Sequence, residues 1–320
     1  MQHLSRGLLG AVPPFQPRAP WWTGDLQTLR NALLPVQHSP ALDRVELIDI
    51  GPAGHLRLSV TEGSDPAKPG VLLIHGLGGC EDSAYLKFTG QVLARAGHCV
   101  ARLNLRAAGP GLATSRGPYH AGLTEDLRAA LRHLKAHAPR WALMGFSLGG
   151  HMSLKLAAEP NVPDALAAVI AVSAPLDLAN TADRVMAARN IVYHKRIVAT
   201  MRRYAAAWLP ADEQDRLKRI KTVRDFDTEI VASAFGFHDA DDYYAQMSVK
   251  PHLDALSVPA LILHAVDDPW IPFQDYHRPW GAQAPLDVLL TRRGGHVGFH
   301  GRASQDPYYA RLAETFLARI

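Results

Sequence analysis

Cysteine is scarce in this chain. Cys80 and Cys99 are its two cysteines, and they lie far apart with no Cys-x-x-Cys pair. This argues against a disulfide-linked scaffold and against a cysteine-rich zinc site, and it fits a reducing compartment. The first residues, MQHLSRGLLGAVPPF, hold too short an apolar run for a secretion signal. We therefore expect a cytoplasmic protein.

A surplus of one charge is also missing. The 34 lysines and arginines nearly balance the 30 aspartates and glutamates, giving a net charge of +4, which argues against a dedicated nucleic-acid surface. The basic runs 195–204 and 216–224 contain apolar residues at helical spacing, so we interpret them as solvated faces of amphipathic helices. Contact with an acidic membrane is the alternative. No apolar run reaches the ~20 residues needed to cross a bilayer.

Patterns of strand and helix do occur, and they alternate. VELIDI (45–50) and HLRLSV (55–60) are separated by Gly-Pro-Ala-Gly, which predicts a hairpin. From residue 70 onwards, short apolar runs alternate with segments of helical spacing, and Thr124 is the predicted N-cap of one such helix. This order predicts an α/β fold with a mostly parallel, twisted sheet of about eight strands, flanked by helices.

The alternation pauses between 179 and 257, where the sequence has helical patterns and no buried-strand pattern. We interpret this segment as a helical cap, inserted into a core formed by residues 45–178 and 258–320. Residues 1–44, rich in proline and tryptophan near their middle, are predicted to form an N-terminal arm packed on the domain.

One strand-to-helix junction carries the pentapeptide Gly-Phe-Ser-Leu-Gly, with Ser147 at its centre. A sharp turn there would hold the serine in strained backbone geometry and leave no room for side chains at positions 145 and 149. The same pattern also occurs in ordinary tight turns. The strand before it and the helix after it favour a nucleophile.

A serine nucleophile needs a base, and the base needs a third group to orient it. Asp268 follows a later apolar strand in an Asp-x-x-Ile-Pro setting that is usual for such an acid; Asp267 is the fallback and Asp177 a third choice. His296 follows the last strand after two glycines and is the candidate base. His300, four residues on, would point elsewhere.

The tetrahedral intermediate of acyl transfer carries a negative oxygen, which needs two backbone N–H donors. The amide of Leu148, directly after the serine, is one candidate. The amide of Leu77, in the glycine-rich loop HGLGG after the first parallel strand, is the other. No Lys-Ser/Thr follows this loop and no GxGxxG is present, so we expect no nucleotide cofactor. The sequence also lacks a Cys-x-x-Cys pair and a His/Cys cluster, so we expect no metal.

The motifs HGLGG, GFSLGG, DDPWIP and GGHVGF together resemble those of the α/β-hydrolase superfamily. GDLQTL, GPYHAGLTEDL and RDFDTEIVASAFGFHDADDYY resemble its YheT-like branch of predicted hydrolases. The resemblance implies that Ser147, Asp268 and His296 form a catalytic triad, and the branch is linked to esterase, lipase-like and acyltransferase activities. Tyr119 and His120 match a branch motif and are expected to fix a loop.

One departure from the family pattern is visible. Relatives usually carry Arg-Gly-x-x-Gly after the third strand, where this chain has Arg106-Ala107-Ala108-Gly109. The change bears on the loop beside the pocket and not on the triad.

These patterns predict a serine esterase for short- to medium-chain acyl esters, with a small-molecule substrate. Phe146, Trp270 and Phe299 flank the triad in sequence and are predicted to line an apolar pocket. An acyltransferase or a thioesterase could use the same acyl-enzyme, and a non-catalytic binding protein on this fold is a further alternative. The oligomeric state is not predicted.

Overall fold

A single sheet organises the chain. The computed structural model describes residues 13–33, 44–277 and 284–320. Its strands are β1 Arg44–Asp49, β2 His55–Thr61, β3 Gly70–Ile74, β4 Val100–Asn104, β5 Trp141–Phe146, β6 Leu166–Val172, β7 Ala260–Ala265 and β8 Leu286–Thr291. They lie in the order β1-β2-β4-β3-β5-β6-β7-β8. β2 is antiparallel to both of its neighbours and the other pairs are parallel, which confirms the predicted fold class.

The helices fill the connections between the strands. They are α1 Gly24–Leu33, α2 Ala84–Arg95, α3 Glu125–Leu134, α4 Leu148–Ala158, α5 Leu178–Met186, α6 Ile191–Trp208, α7 Val223–Phe226, α8 Ser233–Phe235, α9 Ala240–Met247 and α10 Tyr308–Leu317. A π-helical turn, Asp227–Ala232, joins α7 to α8. Short 3₁₀ helices lie at Gly51–Ala53, Gly109–Ala113, Ala188–Asn190, Ala211–Lys218, Lys250–Ala255 and Phe273–Tyr276.

Both faces of the sheet are covered, so β3, β4, β5 and β7 are buried along their whole length. Leucines of α3 and α4, such as Leu131 and Leu156, pack with Leu72 on one face. Side chains of α2 and α10, such as Leu93 and Phe316, belong to the core on the other face. Such two-sided burial is expected of parallel strands and explains their continuous apolar runs.

Residues 179–257 contain helices and no strand, and they have a small apolar core of their own. Met201, Ile230 and Tyr243 are among its buried members. Leu148, at the start of α4, packs against this cluster and also against the core of the sheet, and therefore connects the two.

Two local predictions had different outcomes. The hairpin of β1 and β2 is confirmed, with Arg44 paired to Val60 and Asp49 to His55. Thr124 does precede α3, but its hydroxyl donates to the carboxylate of Glu159 at 2.9 Å and makes no capping bond. The predicted N-cap position is therefore confirmed, but its capping hydrogen bond is absent, since the backbone of Thr124 is itself helical, with φ −76° and ψ −19°.

The predicted N-terminal arm is described only in part, because residues 1–12 and 34–43 lie outside the described residues. Its helix α1 packs beside the loop after β8: the side chain of Gln27 accepts from the amide of His300 at 2.8 Å. Among the helices of the described ranges, none combines the length and the apolar character needed to cross a bilayer.

Candidate active site

Ser147 occupies the turn between β5 and α4 and has φ 51° and ψ −119°, an unfavourable backbone conformation for a residue with a side chain. A β-carbon at position 145 would lie 2.1 Å from the carbonyl oxygen of Gly149, and one at position 149 would lie 2.5 Å from that of Ile74. Both positions therefore require glycine. The sharp turn places Ser147 at the carboxyl end of β5, where it lines a cavity.

Among the described residues, the amide of Leu148 has no hydrogen-bond acceptor outside its own helix. Leu148 is the first residue of α4, and the first amides of a helix have no acceptor within it. The same end of the helix carries the positive pole of its dipole, which favours negative charge.

The loop after β3 supplies a second candidate amide. Gly76 N donates to the Tyr85 hydroxyl and Gly78 N to the Tyr119 hydroxyl, each at 3.1 Å. The amide of Leu77 lies between them and has no acceptor among the described residues. Leu77 and Leu148 both line the cavity that Ser147 lines. Two tyrosines thus hold the flanking amides and leave Leu77 N–H available.

Asp268 and His296 meet at the ends of neighbouring strands. His296 Nδ1 lies 2.9 Å from Asp268 Oδ2, while Asp268 Oδ1 accepts from the amides of Trp270 at 2.8 Å and Ile271 at 3.1 Å. Burial raises the pKa of Asp268, but the charge and hydrogen bond of His296 outweigh it, so this pKa lies below its ordinary value. The carboxylate is therefore ionised at neutral pH and fixes a proton on Nδ1.

With the proton of the ring on Nδ1, the nitrogen Nε2 of His296 is unprotonated and can accept a proton. His296 lines the same cavity as Ser147. A hydrogen bond between Ser147 Oγ and His296 Nε2 is absent from the described residues. Long contacts of this kind are common in catalytic pairs without substrate and tighten in the reacting complex.

The loop that carries His296 is held by residues that the sequence did not single out. The amide of His296 donates to the Thr28 hydroxyl on α1 at 2.8 Å, and that of Val297 donates to the Ser173 hydroxyl at 3.1 Å. Asp267, the fallback acid, accepts from the amide of Gly295 at 2.9 Å. Asp267 therefore shapes the histidine loop, while its neighbour Asp268 holds the ring.

The other candidates from the sequence lie apart from the imidazole. Asp177 is the N-cap of α5, where its carboxylate accepts from the amide of Asn180 at 3.1 Å. The ring of His300 is bonded to Asn31 at 2.7 Å, and burial lowers its pKa to about 3. Neither is bonded to His296.

The cavity has a volume of about 560 Å³ and extends from the sheet edge under the helices of residues 179–257. Most of its lining is apolar, and the segment from α5 to the π-helical turn supplies Leu178, Ala182, Val185, Ile197, Met201, Val223, Phe226 and Val231. Such a shape suits a ligand with a hydrocarbon chain.

Of the three predicted pocket residues, the structure places one at the cavity. Trp270 lines it, and its ring lies 4.4 Å from that of His296. Phe146 and Phe299 are fully buried in the core and do not belong to the lining. Both pack against Tyr309, with ring centroids at 5.2 Å and 6.3 Å, because the side chains of these two residues point to the α10 face of the sheet.

One buried carboxyl lines the cavity in the cap. Asp227, the first residue of the π-helical turn, accepts from the Tyr244 hydroxyl at 2.5 Å. Burial raises its pKa to about 7, although the bond from Tyr244 opposes the shift. The carboxyl therefore exists in both protonation states near neutral pH, and it is a polar group in a mainly apolar lining.

Tyr119 and His120 contact neighbouring segments of the chain. The Tyr119 hydroxyl accepts from the amide of Gly78, and the His120 ring lies 4.3 Å from that of Phe235 in α8. Burial lowers the pKa of His120 to about 4, so this ring is neutral. At the departure from the family pattern, Ala107 has φ 52°, a conformation in which glycine would be relaxed.

Comparisons with known proteins agree with this architecture. The family model described as the alpha/beta hydrolase fold matches residues 69–303. The YheT protein of Escherichia coli (strain K12), named as a candidate esterase, is 32% identical over 287 residues, covering 86% of this chain and 84% of the relative. The monoacylglycerol lipase of Saccharomyces cerevisiae is 28% identical over 279 residues, covering 79% and 60%.

A solved structure shows the same fold at low identity. The esterase Pf2001 of Pyrococcus furiosus has a TM-score of 0.59 and 16% sequence identity, and the match covers 96% of this chain and 97% of that one.

Proposed function

Because the chain belongs to the α/β-hydrolase family, we propose that it hydrolyses carboxylic esters of short- to medium-chain acyl groups, with Ser147 as nucleophile, His296 as base and Asp268 as orienting acid. One observation carries the proposal: the His296–Asp268 pair, bonded at 2.9 Å, lines the cavity that the strained turn at Ser147 also lines. If the Ser147 segment were only a tight turn, no buried histidine–aspartate pair would be needed at the same cavity.

The reaction begins with proton transfer. His296 Nε2 takes the proton of the Ser147 hydroxyl as Oγ attacks the ester carbon, and the Asp268 carboxylate stabilises the resulting imidazolium. The tetrahedral intermediate collapses when the imidazolium gives its proton to the leaving alkoxide. An acyl-Ser147 ester and a free alcohol result.

Water completes the cycle. His296 removes a proton from the water as its oxygen attacks the acyl carbon, and the second intermediate releases the carboxylic acid while Ser147 Oγ regains the proton. In both intermediates the amides of Leu77 and Leu148 stabilise the negative oxygen. Losing one such donor typically costs about 3 kcal/mol of transition-state stabilisation.

The apolar lining supports the choice of substrate. The helices of residues 179–257 serve as a cap that holds the acyl chain, with Ile197 and Met201 among the residues in contact with it. We expect the free energy of binding to improve by ~0.8 kcal/mol for each methylene buried, until the cavity is filled.

A chromogenic ester series tests the proposal. p-Nitrophenyl esters from acetate to laurate should be hydrolysed, with kcat/KM rising and then falling as the chain outgrows the cavity. Ser147→Ala should lose activity by at least about 10⁴-fold and should not react with a fluorophosphonate probe. Ser153→Ala, on the same helix and bonded to Gly149 O, is the matched control and should remain active.

Turnover confined to charged or peptide substrates would overturn the choice of ester. Equal labelling of wild type and Ser147→Ala would overturn the nucleophile, and no labelling of wild type would favour a binding protein. Adding methanol or glycerol separates hydrolysis from acyl transfer, because a transferase would form the new ester in preference to the free acid.

A further inference from the structure

A second cluster of reactive side chains lies at the open edge of the sheet, on β1 and at the end of α3. His133 Nε2 lies 2.6 Å from Glu46 Oε2, and His137 Nε2 lies 3.1 Å from the same oxygen. The three ligand atoms lie within 4.8 Å of one another. None of these residues lines the cavity of the candidate active site.

We propose that Glu46, His133 and His137 bind a divalent first-row transition ion such as Zn²⁺. Two imidazoles and one carboxylate are a ligand set that Zn²⁺ accepts in proteins. Two atoms bound at ~2.1 Å to one tetrahedral Zn²⁺ are about 3.4 Å apart. The distances from His133 and His137 to Glu46 Oε2 are 2.6 Å and 3.1 Å, so the side chains would have to move apart by about 0.8 Å and 0.3 Å to admit the ion.

The chain holds these groups in place before any ion binds. His133 lies in the last turn of α3 and His137 in the turn that follows it, where its amide donates to Leu134 O at 3.0 Å, and both rings reach Glu46. Their side chains are 35% exposed at His133 and 8% at His137, and that of Glu46 is 15% exposed. Half-buried ligands lose less conformational entropy on binding than free surface side chains do.

The charge on Glu46 also favours a cation. Its carboxylate lies within hydrogen-bond distance of the guanidinium of Arg44 and of the rings of His133 and His137, so an acidic group stands at the centre of the cluster.

Arg44 is the natural competitor for this position. Its guanidinium contacts Glu46 at 2.6 Å, Glu62 at 3.0 Å and His137 Nδ1 at 3.1 Å. The Arg44 side chain is 57% exposed and can turn out into solvent when an ion takes over the neutralisation of Glu46. Removing the positive charge of Arg44 should therefore strengthen metal binding at Glu46, His133 and His137.

A neighbouring thiol is not a ligand in this proposal. Cys99 Sγ lies 4.0 Å from Glu62 Oε2. The sulfur belongs to a separate group of converging ligand atoms, with Glu62 and His137, that does not include Glu46 or His133.

Titration calorimetry of the full chain with ZnCl₂, after treatment with a chelator, tests the site. Wild type should bind one equivalent in its tightest class of sites. His133→Asn, His137→Asn and Glu46→Gln should each weaken that class by at least tenfold, while Arg44→Gln should tighten it severalfold. His238→Asn removes an exposed histidine bonded to Asp239 and should leave the affinity unchanged.

Thermal unfolding provides a second measurement. An ion that joins β1 to α3 in the folded chain only should raise Tm progressively as the free ion concentration exceeds its Kd. The rise should be seen in wild type and Arg44→Gln and be lost in His133→Asn. No tight class in wild type, equal affinity in the ligand variants, or weaker binding by Arg44→Gln would each overturn the proposal.

Discussion

The floor and the roof of the cavity are built on opposite principles. The floor, formed by the strand ends of the sheet, carries polar groups that are each fixed by directed hydrogen bonds, such as Asp268 with two backbone amides and one imidazole. The roof, formed by the helices of residues 179–257, carries mostly apolar side chains whose contacts have no preferred direction.

The difference separates two tasks. Chemistry needs atoms placed to within a fraction of an ångström, and neighbouring strand ends supply that precision because the backbone fixes them. Choosing a chain length needs only a volume of apolar space. Changes in the floor should therefore alter kcat, and changes in the roof should alter which substrate is used.

After the loss expected for Ser147→Ala, the next largest effect is expected from Asp268→Asn. An amide in place of the carboxylate can donate to Nδ1, which would leave Nε2 protonated and unable to act as base, so kcat should fall by about 10⁴-fold. Asp267→Asn keeps an oxygen that can accept from Gly295 N, and its kcat should stay within about tenfold of wild type. Steady-state kinetics on the best ester compares the two, and equal losses would contradict the assignment.

A smaller loss is expected from Tyr119→Phe. The hydroxyl that accepts from Gly78 N disappears while the ring stays, so the Leu77 amide becomes less well placed. We expect kcat to fall about tenfold with little change in KM, since the oxyanion forms only during the reaction. The control is Tyr309→Phe, which removes a buried hydroxyl without a hydrogen-bond partner among the described residues. A loss in KM alone would place Tyr119 in substrate binding instead.

In the roof, Ile197→Trp should change selectivity. Ile197 lines the cavity, and a larger ring there shortens the space for an acyl chain. For the longest ester that wild type accepts, kcat/KM should fall about tenfold, which corresponds to one or two methylenes left unburied. Butyrate should change by less than about twofold. Val192→Trp, on the same helix and 77% exposed, should change neither value.

The smallest effect is on stability, at Asp227. Because burial raises its pKa to about 7, the folded chain binds one more proton than the unfolded chain between about pH 4 and pH 7, and stability falls as pH rises through that range. Asp227→Asn cannot titrate. The difference in Tm between variant and wild type should therefore grow by a few degrees from pH 5 to pH 8, as measured by circular dichroism.

The Tm of wild type alone would not isolate Asp227, because other buried groups change the stability with pH in the opposite direction. Burial lowers the pKa of His75 and of His151 to about 4, so these rings destabilise the fold as pH falls below their ordinary value. They are common to both proteins and cancel. A Tm difference that does not vary with pH would show that Asp227 does not titrate in this range.

Sequence patterns predicted the floor better than the roof. Glycines at 145 and 149 and an aspartate after an apolar strand are local signals, and each has a local steric or hydrogen-bonding cause. Phe146 and Phe299 were placed at the pocket only because they adjoin Ser147 and His296 in sequence. Successive side chains of a strand point to opposite faces, so Phe146 lies in the core.

The residues that sequence analysis missed act over long separations. Thr28 lies 268 positions from His296 and accepts a hydrogen bond from its amide. No local sequence pattern encodes such a contact. Asp227 faces the cavity from a π-helical turn. A sequence pattern with the α-helical period of 3.6 residues could not place it there, because a π-helix has a different period. A branch motif, RDFDTEI, was the one signal that could have drawn attention to it.

Helix α1 has a consequence for how this enzyme could be dissected. Thr28 accepts a hydrogen bond from the amide of His296, and Asn31 donates one to the carbonyl of Val297. The position of His296 therefore depends on a segment that precedes β1. A shortened chain that starts at residue 44 would retain all eight described strands and the three residues of the proposed triad. Its failure to turn over substrate would then be a defect of alignment in an otherwise intact scaffold.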